Sequence, residues 1–86
     1  MAQVWKFVLQ PEVSLSMPKG AELLSVASKG DDICLWARVN PNAEKVNRTF
    51  LGFGTGHDIP DNLQLQFVGT AHLSGGALVF HVFEKV

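Results

Sequence analysis

Charged residues are scarce in this chain: Asp, Glu, Lys and Arg make up 17% of its 86 positions, and the formal net charge is −1. Ordinary soluble domains carry about 25%. A chain so poorly charged either has a core large for its length or turns apolar surface toward another subunit. The second fits a small β domain better, because its unpaired strand edges have to be hidden. A homo-oligomer is therefore expected. The seven basic residues, Lys6, Lys19, Lys29, Arg38, Lys45, Arg48 and Lys85, are scattered among acids. That excludes the basic stripe of a protein that tracks long nucleic acid. It leaves room for a local pocket that holds one phosphate.

Cysteine is nearly absent. With Cys34 alone, no disulfide can form within the chain, and a cysteine-rich zinc site is excluded. Met1–Lys6 lacks the apolar run of a signal peptide, and no stretch approaches the ~18–20 apolar residues of a membrane span. A cytoplasmic location is expected. The length suits one domain over residues 1–86, with a core that buries roughly 60–65% of the surface of the unfolded chain.

What the sequence does have is alternation. Trp5, Phe7 and Leu9 alternate with Val4, Lys6 and Val8, and Val13, Leu15 and Met17 alternate with serines. Ala21–Val26 is a third run, and Ile33, Leu35, Ala37 and Val39 alternate with Cys34, Trp36 and Arg38. Residues 45–53 follow, with Val46, Arg48 and Phe50 on one side. Leu63, Leu65 and Phe67 form the next run, and residues 77–83 the last. Period two marks strands, and Pro-Lys-Gly, Lys-Gly-Asp-Asp, Asn-Pro-Asn and Ser-Gly-Gly mark the turns between them. The expected fold is all-β: a small antiparallel β-sandwich or barrel of about seven strands. The last strand, apolar on both faces except for His81, is expected to be covered on both sides. The core is expected to include Trp5, Phe7, Leu9, Leu35, Ala37, Phe50, Leu65, Phe67, Leu78, Phe80 and Val82.

Catalytic patterns do not emerge. There is no Gly-x-Ser-x-Gly nucleophile elbow. The carboxylate pairs Asp31-Asp32 and Asp58/Asp61 sit where turn formers belong. Cys34 has no legible base beside it. His57, His72 and His81 fall in a loop, near a strand end and within a strand, so nothing brings them together as metal ligands. No enzymatic activity, metal or cofactor is expected.

Binding has better candidates. In the loop Phe53-Gly54-Thr55-Gly56-His57-Asp58, closely spaced glycines can turn backbone N–H groups toward an anion. Thr55 and His57 would add side-chain donors. Ile59-Pro60 argues against a helix here, so this is neither a Walker A nor a dinucleotide fingerprint; a tight bulged turn would equally explain the glycines. Trp36 and Arg38 share a strand face, where an indole can stack a base and a guanidinium can pair a phosphate. The alternative is that Trp36 is core and Arg38 its exposed neighbour.

Val4-Trp5-Lys6-Phe7, Met17-Pro18-Lys19-Gly20-Ala21, Leu35-Trp36-Ala37, Phe53-Gly54-Thr55-Gly56-His57 and Val79-Phe80-His81-Val82-Phe83-Glu84 together resemble a family of short uncharacterised proteins encoded by bacteriophages and prophages. The resemblance covers nearly the whole chain and carries no catalytic residues. It implies a phage origin and action in the host cytoplasm. Small phage proteins of this kind include anti-defence factors that sequester nucleotide immune signals without hydrolysing them. On that expectation Gly54, Thr55, Gly56, His57, Trp36, Arg38, Arg48 and Lys19 would hold a phosphorylated, cyclic oligonucleotide ligand. The competing expectation is a protein–protein module that blocks a host defence or metabolic protein, or a phage structural or accessory protein. Where Arg38, Arg48, Lys19 and His57 point separates the two. Convergence favours the nucleotide, and dispersal around an apolar centre favours a protein partner.

Overall fold

Every alternating run forms a strand in the computed structural model, which describes residues 1–86. The strands are β1 (Gln3–Leu9), β2 (Glu12–Pro18), β3 (Glu22–Lys29), β4 (Asp32–Val39), β5 (Lys45–Gly54), β6 (Leu65–Leu73) and β7 (Leu78–Lys85). A single 3-10 turn, Ser74–Gly76, joins the last two. All pairings are antiparallel. Three strands form one sheet in the order β1-β4-β3, and four form the other in the order β2-β5-β7-β6.

The inner faces of the two sheets make the core. β4 contributes Ile33, Leu35, Ala37 and Val39; β5 and β7 contribute Phe50 and Val82, with Leu9, Met17 and Ala71 around them. Trp5, Phe7 and Phe80 pack against this cluster from partly buried positions. The sheets come closest along β3 and β6. There a Cβ on Gly69 would lie 2.9 Å from Val26 Cβ, so the strands could not approach as they do with any other residue.

The structure corrects part of the expected core. Phe67 and Leu78 are 57% and 51% exposed, and Leu65 lies outside the buried cluster. For Leu65 and Phe67 the cause is a bulge in β6, where the register to β7 shifts between Phe67 and Gly69; Leu78 is exposed as the first residue of β7. A bulge inserts one residue and reverses which side chains face inward. Past it, Val68, Ala71 and Leu73 supply the core, while Phe67 stands on the outer face. β7 is central within its sheet, between β5 and β6, but only one of its faces is covered. Val79, His81 and Phe83 line the uncovered face and are only partly buried.

Candidate functional site

The Gly54–His57 loop closes on itself. The His57 N–H donates to the Gly54 carbonyl at 3.1 Å, and Gly56 has φ +85°, the left-handed turn that favours glycine. The His57 ring lies over Gly54, where an added Cβ would come within 2.8 Å of it. Thr55 Oγ1 shares a hydrogen bond with His81 Nε2 at 2.8 Å, and His81 Nδ1 shares another with Thr70 Oγ1 at 3.1 Å. The threonine expected as a ligand donor therefore ties the loop to β7. A cavity of about 190 Å3 remains between Gly54, Thr55, His57 and the start of β7.

Arg48 lies on the inner face of β5 and is engaged. Its Nε and one terminal nitrogen donate to the two oxygens of Glu84 at 2.6 and 2.7 Å, and the other terminal nitrogen donates to the Ala21 carbonyl at 2.6 Å. The side chains are only 20% and 12% exposed. Hydrogen bonding to Glu84 holds the guanidinium above its ordinary pKa, and burial acts against it. The pair crosslinks β5, β7 and the segment that enters β3, a structural use of the charge.

Lys19 stands at the β2–β3 turn, its N–H donating to Glu44 O at 2.8 Å and its Nζ 3.6 Å from Glu44 Oε1. Glu44 immediately precedes β5, whereas Gly54 ends it. A ten-residue strand spans about 30 Å, so Lys19 and the glycine loop lie at opposite ends of the sheet.

Trp36 and Arg38 do share a face, on the side of β4 turned away from the core. Register places Lys6 beside Trp36, and Val4 and Glu22 on either side of Arg38. Val8 and Ala27 flank the buried Cys34. Val4 is 59% exposed and Val8 41%, Lys6 and Arg38 are exposed, and Trp36 is half-buried. A recess of about 380 Å3 lies between Arg38, Val4 and residues 1–3.

The eight side chains and loop positions do not converge within one chain. Trp36 and Arg38 belong to the outer face of one sheet, the glycine loop to one end of the other sheet, Lys19 to the far end, and Arg48 to the interior. Alternation alone did not reveal a further apolar surface, the outer face of the four-stranded sheet. There Phe83 makes edge-to-face contacts with Phe53 and Phe67, with ring centroids 5.9 and 5.5 Å apart. The signal available was Gly69, which marks the bulge that turns Phe67 outward.

The chain belongs to DUF7352, a domain of unknown function, whose family model matches residues 1–86. No curated protein and no solved structure matches it.

Proposed function

We propose that the chain is a non-catalytic, phage-encoded binding module that engages a protein of its bacterial host through the Trp36–Arg38 face. One observation carries this reading: an indole and a guanidinium stand side by side on an uncovered sheet face, bordered by exposed Val4, Val8 and Lys6. Trp and Arg are the side chains that most often dominate interface energetics, and they do so inside an apolar border that excludes water. The recess beside Arg38 is a place for one partner side chain to anchor.

The test is retention of a host protein by the immobilised chain, compared with Trp36→Ala and Arg38→Ala. Both side chains lie outside the core, so both variants are expected to keep the wild-type circular dichroism spectrum. Each is expected to weaken retention at least tenfold, a loss of about 1.4 kcal/mol or more. Retention unchanged in both variants would overturn the reading, as would the absence of any retained protein.

The nucleotide-sequestering reading draws on the cavity at Gly54–His57. At about 190 Å3, that cavity is below the ~300 Å3 at which small-molecule sites begin. A cyclic dinucleotide would need a second copy to complete the site. Titration calorimetry against cyclic di- and trinucleotides is therefore expected to show no binding tighter than about 10 μM, roughly −7 kcal/mol. Tighter binding that His57→Ala abolishes would reinstate the nucleotide as ligand.

A further inference from the structure

The outer face of the four-stranded sheet has the composition of an interface core and nothing of this chain covering it. Along its centre run Leu51, Phe53, Phe83 and Phe67; the first three are half-buried and Phe67 is 57% exposed. On one side lie Ser14 and Thr49, whose hydroxyls share a hydrogen bond of 2.8 Å. On the other lie Thr55, His81 and Thr70, joined by the bonds described above. Register adds one acid beside Leu51, Glu12, and one base beside Thr49, Lys85. The face is thus an aromatic band with a neutral polar rim and one charge of each sign.

From this we infer that the face binds a second copy of the same chain, sheet against sheet, in a two-fold dimer. Three features select a second copy over other occupants. The rim hydroxyls and the imidazole are satisfied within the chain, so a dry apolar partner buries them without leaving them unpaired. The face carries no net charge, so two copies meet without like-charge repulsion, whereas a nucleic acid would need a basic surface. The Cα extents are 39 × 32 × 15 Å, a flat slab. Covering roughly two-thirds of one broad face would bury about 800 Å2 per copy, the area of a standard stable interface. Twisted sheets stack face to face with strands about 30° apart and ~10 Å between layers. The dimer is then a four-layer sandwich, with its two Trp36 faces outermost, about 30 Å apart and facing opposite ways. If each face binds a partner, the dimer is bivalent and gains avidity without new contacts.

Sedimentation analysis of the wild-type chain at about 100 μM is expected to give twice the monomer mass of 9.4 kDa. Phe67→Glu places a charge in the aromatic band at an exposed site and is expected to give the monomer mass with an unchanged circular dichroism spectrum. Should Phe67→Glu fail to fold, Phe67→Ser is expected to raise the dissociation constant at least tenfold. Val8→Glu, on the opposite sheet, is expected to leave the dimer intact. A wild-type monomer at this concentration, an unaffected dimer in the folded Phe67 variants, or a dimer lost in Val8→Glu would each overturn the inference. Because the Phe67 and Trp36 faces are on different sheets, loss of one activity leaves the other measurable.

Discussion

Replacing Glu84 with alanine is expected to cost about 3 kcal/mol of folding stability, the lower part of the range for breaking a buried ion pair. The residue sits near the end of β7, an inner strand of the four-stranded sheet, directly across from Phe50 in the register of β5 and β7. Its carboxylate takes two hydrogen bonds from Arg48. Without it, a guanidinium only 20% exposed keeps the Ala21 carbonyl as its one partner within the chain. The cost is set by that stranded charge more than by the attraction lost. Arg48 cannot escape by losing its proton. Its pKa is raised, so the stability linked to the guanidinium's own charge is present below its ordinary value and is lost only as the pH climbs past the elevated one. An 86-residue domain holds only roughly 4–13 kcal/mol in total, so the loss should move the urea midpoint by about 2–3 M. Replacing both partners, Arg48→Met with Glu84→Leu, should recover most of it, because no charge is then left buried. A Glu84→Ala loss below about 1 kcal/mol would mean that the pair behaves as a solvated surface contact.

Arg48 and Arg38 illustrate what could be read before the fold was in view. Both lie on alternating strands, and both were candidates to hold a phosphate. Arg38 points outward beside Trp36, as the phase of β4 required, because Leu35, Ala37 and Val39 claim the inner face. Arg48 shares the phase of Val46 and Phe50 and so had to point inward. Its partner Glu84 is 36 positions away on β7, and local pattern carries no information about which distant strand pairs with β5. The seven strands were legible for the same reason that their assembly was not: alternation is local, whereas the division into three and four strands is a matter of long-range pairing. In β6 even the phase was misleading. Leu63, Leu65 and Phe67 alternate cleanly in step with Ala71 and Leu73, but the bulge before Gly69 moves the odd positions from the outer face to the inner one, so Ala71 reaches the core and an exposed phenylalanine looks like a core residue. The glycine loop was ambiguous in another way. Glycines spaced to cradle an anion are equally suited to letting an imidazole lie against the backbone, and His57 over Gly54 takes the second course.

The contrast between Phe50 and Phe67 tests this division of the sheet into a core face and an interface face. Phe50 is 1% exposed and is the largest fully buried side chain of the domain. It lies on β5 among Met17, Leu35 and Val82 in the one buried cluster. Phe50→Ala removes a whole ring from a close-packed interior that can only partly collapse, so it is expected to cost about 3–5 kcal/mol. For a domain of this size each kcal/mol corresponds to roughly 4–8 °C in Tm, and the variant should melt at least about 12 °C below wild type. Phe67→Ala removes the same atoms from a ring that is 57% exposed and leaves no cavity in the core. Measured at about 1 μM, where association contributes little, it should cost no more than about 1 kcal/mol. At about 100 μM the wild-type Tm should rise through dimerisation while that of Phe67→Ala stays where it was, since binding to the folded state alone raises stability with concentration. The same increase in concentration should raise the Tm of Phe50→Ala as it does that of wild type, because its outer face is intact. Equal losses for the two phenylalanines at low concentration would place Phe67 in the core and remove the physical basis for an exposed aromatic face.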